Sequence, residues 1–590
     1  MMMLPTSDNH SPWLKEVSFP GLIWITNRYY QSPVSIASIV LLVLILIVFG
    51  GSLNYEMLGY DSKKYILEDP AIRQISWQNV YQIFTTNYFI NYNPLHRISY
   101  MLDYSLWGDS PAGYRVMNWV LHWIGAIFVF AFFLQLTRNH ISTWLLTICF
   151  AIHPTRVENV VWLAQRKDVL AAAFGFVALW CYQQSWKKSS AVSQHLWYLM
   201  TILTYSGAVA SKAQWVPLCA ILFCLDWYED HPRAQWQWIK YLPFVGLSGL
   251  FSWWTYQAQI LEPHHTVTFS FITWVTGPLR DIAQYFRLTL WPMNLYVRTP
   301  PFPIVAWQVI LGGAILMGWG IIGWKKRNDD RSLLFGLSWF LLFLLPMLNL
   351  VPGTLIPNDR YLYVSILGIV FPLAQWLGQQ PVSQGLSSIV LSSVVFGSLT
   401  LHYLPVWKND YSLWNNSVLQ NPNNQVAINN LMISARLEGK KQEESFLLEY
   451  LVSLDPQNLA YRSDAGIAAY NLGNYPKAAE HLGWLSKYDP KFQDTASDCF
   501  RLGHALVMTQ QAEQAIMFLR QAVKLEPKNP QYWYTFGDAH KLANHLTEAL
   551  QCYQEVLNLE KKYTEKVQPK IILLEGEIKQ SSQKPGPVKP

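Results

Sequence analysis

The chain has 590 residues, of which 51% are hydrophobic, 15% aromatic and 14% charged, where soluble domains run nearer a quarter charged. The formal net charge of +6 is mild and gathers into no basic patch or stripe, which excludes nucleic acid as a partner. Long apolar runs dominate residues 34–404, and residues 405–590 have the polarity of a soluble protein. The chain therefore reads as all-α, a polytopic membrane domain followed by one soluble domain.

Residues 1–33 are polar and are expected on the cytoplasmic side. The apolar run from Val34 to Phe49 continues into GGSL without an A-x-A type cleavage site, so it reads as a retained first span and not a signal peptide. The loop 54–117 is too polar to cross a bilayer and too rich in Tyr, Trp and Phe to be a disordered spacer. A helix needs about 20 largely apolar residues to cross the hydrocarbon core. Besides 34–53, spans are predicted at 117–136, 141–160, 168–186, 196–211, 214–228, 238–257, 305–324, 333–351, 361–378 and 386–404, about eleven in all. Residues 269–292 are apolar but interrupted by Gly277-Pro278, and carry Arg280, Asp281 and Arg287. That pattern predicts a re-entrant or interfacial element, because broken backbone at membrane depth must be satisfied by surrounding protein.

With the N-terminus inside, short inner loops hold Arg138, Lys187-Lys188, Arg233 and the run Lys325-Lys326-Arg327 with Arg331, in line with the positive-inside bias. Arg156, Arg166, Lys167, Lys212 and Arg360 then fall on the outer face against that bias, and a bound anion is one reason for cations to lie there. The 28 Trp suit a long membrane interface. The six Cys include no C-x-x-C pair, which implies packed thiols and neither a zinc site nor a disulfide framework.

Eleven spans place the soluble domain outside as well. There Pro422, Pro456 and Pro490 recur at 34 residues and Pro527 follows after 37. A 34-residue period with small residues at helix crossings predicts tetratricopeptide repeats. The small positions are Gly466 and Ala478, Gly503, Ala515 and Ala522, then Gly537 and Ala549, with large partners at Leu482, Leu519 and Tyr553. About four repeats fit residues 405–564, the first carrying Met432 where Gly is usual. Residues 565–590 have the composition of a disordered tail.

Four separated segments bring ionisable residues to the outer face: Asp61 in the first loop; HPTRVENVVWLAQRKD, with His153, Arg156, Glu158, Arg166, Lys167 and Asp168; Ser211-Lys212; and LIPNDRYLYV, with Asp359, Arg360, Tyr361 and Tyr363. Such residues at membrane depth are costly and are functional candidates by default. Asp61 could act as a general base toward an acceptor hydroxyl, cap a helix, or pair at the surface with Lys63 or Lys64; Glu68 and Asp69 are lesser candidates, the ED before Pro70 reading as a turn or helix start. Arg156, Arg166, Lys167, Lys212 and Arg360 could hold a phosphate, Arg as a planar donor fork and Lys as a point charge. Plain interfacial snorkelling is the alternative for the Arg and Lys of the long segment, and Asp359 could pair with Arg360 locally. Glu158 and Asp168 stand two or three helical turns apart and could share a face. His153 is solitary, and His264-His265 has no spaced carboxylate partner, so no metal site is read.

The stretches YDSKKYILEDP, NPLHRISYMLDYSLWG, YRVMNWVLH, IHPTRVENVVWLAQRKDVLAA, SKAQWVPL and NDRYLYVSILG, followed by the repeats, run from about residue 55 to 560. In that order they resemble the GT-C class of polyprenyl-phosphate-sugar-dependent glycosyltransferases, in particular the transmembrane and tetratricopeptide-repeat O-mannosyltransferases and their bacterial relatives. The resemblance implies a GT-C fold, a catalytic acid on the outer first loop, a polyprenyl-monophosphate sugar as donor, and repeats on the same side as the active site. The family usually pairs two acidic residues after the Tyr; here Tyr60 is followed by Asp61 and then Ser62, and Gln165 stands where relatives often have Glu.

The resulting expectation is a glycosyltransferase of a bacterial inner membrane, with periplasmic repeats. It moves a hexose such as mannose to a protein Ser/Thr hydroxyl or a glycan, and its repeats bind acceptor or partner proteins. No cofactor is expected, because the lipid-linked sugar is a substrate. The alternative is a membrane scaffold with partner-binding repeats and a degenerate transferase domain, for which Ser62 is the best argument. A transporter would be expected to show a pair of matched interrupted helices in two halves, and the sequence has none evident.

Overall fold

The computed structural model describes residues 33–59, 61–89, 92–187, 190–230, 238–260, 271–295, 297, 305–348 and 358–583. Expectations placed on residues 1–32, Tyr60, Lys188, Arg233, His264-His265 and 584–590 lie outside the described residues. Helices account for the architecture, and there is no β-strand among the described residues. Contacts divide the chain into two units, Met1–Gln420 and Asn421–Pro590.

In the first unit, α1 (Pro33–Phe49) leads into the first loop with its helices α2 (Trp77–Thr85) and α3 (Pro94–Trp107). Then come α4 (Pro111–Thr137), α5 (His140–Ile152), the short α6 (Arg156–Val161), α7 (Arg166–Lys187), α8 (Ala191–Ser211), α9 (Leu218–Tyr228), α10 (Leu242–Ile260) and α11 (Phe271–Leu290). The unit closes with α12 (Ala306–Lys326), α13 (Ser332–Leu344), α14 (Leu362–Gly378), α15 (Val382–Tyr403) and α16 (Asp410–Gln420).

Each span read from the sequence carries a helix. Among the described residues, five helical stretches are long and apolar enough to cross a membrane: Pro33–Ser52, Pro111–Thr137, Ala306–Lys326, Asp359–Gly378 and Val382–Trp407. Of these, Ala306–Lys326 has 11% and Val382–Trp407 17% of its apolar window buried. They present Ile310, Ile321, Val390, Leu391 and Val394 outward, apolar side chains of the kind that mark a membrane-facing surface. Asp359–Gly378, by contrast, is 61% buried and is central to the unit.

Two predicted elements differ from what is found. The helix expected over 141–160 ends at Ile152, because His153 takes an extended conformation before Pro154, as the residue preceding proline prefers. Chain direction changes again at Trp162, so Glu158 and Asp168 lie on separate helices and share no face. Of the two alternatives for 269–292, re-entrant or interfacial, the re-entrant break at Gly277-Pro278 is not found: α11 runs unbroken with Pro278 inside it. Trp is also not confined to the interface: Trp162, Trp215, Trp339 and Trp407 are fully buried, and Trp339 sits among Phe133, Phe176 and Phe343.

The second unit is an array of helix pairs: α17 (Gln425–Leu437) with α18 (Lys441–Leu454), α19 (Leu459–Asn471) with α20 (Tyr475–Tyr488), α21 (Ala496–Met508) with α22 (Ala512–Leu525), and α23 (Pro530–Leu542) with α24 (Leu546–Leu559). Its start differs from residue 405, because α16 packs into the first unit. Trp407, Leu413 and Trp414 are buried, and the Asn416 amide donates to the Leu295 carbonyl at 3.2 Å. The expected disordered tail is helical over most of its length, as α25 (Thr564–Gln583). Val567, Ile571 and Leu574 pack on Ala549, Tyr553 and Val556 of α24. Their i, i+4, i+7 spacing marks an apolar stripe that the Lys, Glu and Gln content hides.

The small-large pairs predicted at the crossings meet directly. A Cβ on Gly503 would stand 2.5 Å from Leu519 Cγ, and one on Gly537 2.8 Å from the Tyr553 ring. Gly503→Ala is therefore expected to destabilise the repeat array by about 1–3 kcal/mol through overpacking, seen as a lower melting temperature of the array in detergent-solubilised protein.

Candidate functional site

The backbone leading to Asp61 is gripped from two sides. Arg115 of α4, 2% exposed, donates from Nη1 to the carbonyls of Leu53 and Tyr55, both at 2.9 Å, and from Nη2 to that of Glu56 at 3.2 Å. From the opposite side, the Glu56 amide donates to the Lys408 carbonyl at 3.0 Å. The Gly59 amide donates to both carboxylate oxygens of Asp410, at 3.0 and 2.9 Å. Asp61 follows with φ of 55°, a left-handed conformation that Asp tolerates better than most residues. Its carbonyl accepts from the Tyr65 amide at 3.1 Å, which opens the helical turn over Lys64–Glu68.

The rest of the loop is fixed by pairings that no spacing in the sequence encodes. Asp69 accepts from Arg97 Nε at 2.8 Å and Nη2 at 3.0 Å, both side chains being buried, and it also caps Ala71. Glu68 is exposed and pairs with Lys64 at 2.7 Å. His96 of α3 is fully buried among Tyr65 and Tyr100, with ring centroids 5.1 and 4.4 Å away. Burial holds its imidazole well below the usual histidine range, and the nearby Lys167, Arg166 and Arg97 push it the same way.

The segment from His153 to Asp168 distributes its charges to different partners. His153 bonds Thr155 Oγ1 at 2.9 Å and the Thr289 carbonyl at 3.3 Å. Arg156, fully buried, donates to the carbonyls of Leu362, at 2.9 Å, and Tyr363, and lies 4.9 Å over the Tyr363 ring. Arg166, also fully buried, pairs with Asp103 of α3 at 2.5 Å and donates to Asn118 Oδ1 at 2.5 Å and the Tyr114 carbonyl at 2.6 Å. These three side chains join elements together. Glu158 instead pairs with Arg360 at 2.8 Å, and Asp168 with Lys212. Buried charges in a dry interior require such partners.

Lys167 is different. It lies 5.6 Å over the Tyr65 ring, one turn from Asp61, and makes no ion pair among the described residues. Asp61, Asp168, Lys212 and Arg360 are all close enough to it to interact electrostatically. Tyr361 closes the group, with Arg360 5.3 Å and Lys212 6.0 Å from its ring, and Asp359 begins the same turn, 7% exposed. Four separated segments thus converge on one cluster of a carboxylate, three cations and two carboxylates that partner them. On the same segments, Ser62 Oγ, Gln165 Oε1, Asp168 Oδ2 and Gln214 Nε2 are buried without a hydrogen-bond partner among the described residues. Among the described residues, no three His, Cys, Asp or Glu side chains are grouped to hold a metal, and the six Cys are free thiols.

The residues missed by the sequence reading are His96, Arg97, Asp103, Arg115 and Asp410. Their signal was present only as the NPLHRISYMLD stretch, the Arg of YRVMNWVLH and the DY pair at 410–411, none of which carries a spacing rule.

Fold and cluster together define a polytopic helical protein with a charged first-loop site and a tetratricopeptide array. A family model described as tetratricopeptide repeat matches residues 499–529 and 530–563. The chain is 21% identical over 539 residues to protein O-mannosyl-transferase TMTC3 of Mus musculus, covering 80% of this chain and 57% of the relative. Against the Homo sapiens protein it is 21% identical over 547 residues, covering 80% and 58%. A shorter match, 29% identical over 154 residues, covers 23% of this chain and 21% of TMTC4 of Mus musculus. The chain thus spans a little over half the length of TMTC3. Among solved structures, MamA from Desulfovibrio magneticus RS-1 is 18% identical and covers 26% of this chain and 84% of its own, with a TM-score of 0.23. The GT-C O-mannosyltransferase resemblance of the motifs agrees with these relatives.

Proposed function

We propose that the protein is an integral-membrane glycosyltransferase that moves a hexose, mannose by its relatives' names, from a polyprenyl-phosphate donor to a protein hydroxyl or glycan. The observation that carries this reading is the convergence of Asp61 with Lys167, Lys212 and Arg360. In the step, the acceptor oxygen attacks the anomeric carbon as the bond from that carbon to the phosphate oxygen breaks. The hydroxyl proton passes to the Asp61 carboxylate, and the leaving polyprenyl phosphate keeps the bonding pair and is stabilised by the cations. No cofactor enters this step. Tyr361 and the partner carboxylates Glu158 and Asp168, with Asp359 beside them, orient the cations. Arg156, Arg166 and His153 hold the scaffold to which they belong.

Lys167, which makes no ion pair among the described residues and has Asp61, Lys212 and Arg360 within electrostatic reach, is the principal donor-phosphate ligand. Lys167→Met is therefore expected to raise the KM for the donor about tenfold to hundredfold, the worth of one charge-assisted hydrogen bond, in reconstituted vesicles. The site and the repeats lie on the non-cytoplasmic face, periplasmic in a bacterial inner membrane, where the array presents acceptor proteins through its groove. Maleimide labelling of single Cys reporters placed in the repeats of intact cells tests this; labelling only after lysis would reverse it. The deciding experiment is transfer from labelled polyprenyl-phosphate sugars by the reconstituted chain and by Asp61→Asn. Ser62, buried where a second acid is usual, favours one other reading, a partner-binding scaffold. That reading predicts no transfer from any such donor.

A further inference from the structure

The Asp61 loop is tied to a residue 351 positions further along the chain. Both oxygens of Asp410, the first residue of α16, accept from the Gly59 amide. A Cβ on Gly59 would stand 2.9 Å from Asp410 Oδ2, and Lys63 Nζ lies 3.8 Å from that same point. Two residues upstream, Lys408 takes the Glu56 amide. Segment 408–410 thus receives the amides of 56 and 59, while Arg115 holds the carbonyls of 53, 55 and 56. The left-handed Asp61 comes two residues after the last of these contacts. Asp410 is anchored by its own helix, whose Leu413 and Trp414 are buried.

We propose that Asp410 is a positioning residue that sets the placement of Asp61, so that α16, the last helix before the repeats, bears directly on the reacting geometry. The inference rests on Asp61 being the base. A displacement on the order of 1 Å of a reacting group costs roughly 10²-fold in rate. Asp410→Ala removes the acceptor, and Gly59→Ala displaces it from the other side. Asp410→Asn keeps a carbonyl oxygen in the same place.

The full-length protein in vesicles supplies the test. Asp410→Ala and Gly59→Ala are each expected to lower kcat for sugar transfer about 10- to 100-fold with the donor KM within about twofold, and their double variant to lose no more than the worse single one. Asp410→Asn is expected to retain kcat within about threefold. A second readout is independent of activity. The thiol introduced by Ser62→Cys is expected to resist a water-soluble maleimide, because Ser62 is fully buried, and to react at least tenfold faster when Asp410→Ala is added, with the unsubstituted protein as background. Unchanged kcat in Asp410→Ala, or equal loss in Asp410→Asn without faster labelling, overturns the proposal. Should the parent protein transfer no sugar, the reading of Asp61 fails, and the labelling rates alone decide whether Asp410 holds the loop.

Discussion

Asp61→Asn is expected to lower kcat for sugar transfer by about 10³-fold, within the 10²- to 10⁴-fold range of general-base catalysis, with the donor KM unchanged or slightly lower. The substitution suits the site. Asn is enriched in the left-handed region, so the φ of 55° at residue 61 costs it little, and the turn opened by the bond from the Tyr65 amide is kept. What is lost is the ability to take a proton. The cations that would grip the donor remain, and removing the nearby negative charge leaves Lys167 more attractive to phosphate. A loss confined to kcat is the signature of an interaction made in the transition state. Transfer at the parental rate would require another base, and the carboxylates nearest the cluster, Asp168 and Glu158, are already paired with Lys212 and Arg360. That outcome would end the present assignment. Measurement is by release of labelled sugar from polyprenyl phosphate in vesicles, over a range of donor concentrations.

What could be read from the sequence follows how local each signal is. Apolar runs and the 34-residue period are properties of adjacent residues, so the helices of the first unit, the repeats and the contacts of Gly503 with Leu519 and Gly537 with Tyr553 were all visible. Helix ends were less so: Pro154 stops α5 eight residues before residue 160, an apolar count having no term for the backbone of the residue before it. The convergence of four segments was legible from topology, but the partner of each charge was not. Arg156, Arg166 and Lys167 read as one phosphate-holding run. In the fold, two of them are fully buried against Tyr363, Leu362 and Asp103, and only Lys167 faces the cluster. Arg360 reaches Glu158, 202 residues away, besides having Asp359 next to it in sequence. Such pairings depend on which helices touch, which no spacing encodes. The same holds for Asp410 at Gly59. The helical course of α25 was missed for another reason: a stripe of three apolar residues is enough to dock a helix whose other positions are free to be polar.

The Asp103–Arg166 pair gives the other large expected effect, on stability. Asp103→Ala is expected to destabilise the first unit by about 3–5 kcal/mol, the usual result of leaving one buried charge uncompensated. Arg166 is fully buried, so the substitution leaves its guanidinium without the carboxylate that partners it inside the protein. Arg166→Met should behave differently. Burial already pushes the Asp103 carboxyl up, with Arg166 pulling it back. Without Arg166 the upward push is unopposed, and the folded-state pKa rises further above the unfolded value. The folded state then binds more protons than the unfolded chain between those two values, so stability falls as pH rises through the folded pKa. The Arg166→Met protein is accordingly expected to melt higher at pH 5 than at pH 8, while Asp103→Ala shows no such recovery relative to the parent. Intrinsic tryptophan fluorescence during heating in detergent, at both pH values, reads this difference. Equal pH dependence in the two variants would mean that Arg166 matters for its bonds to Asn118 and Tyr114 and not for its charge.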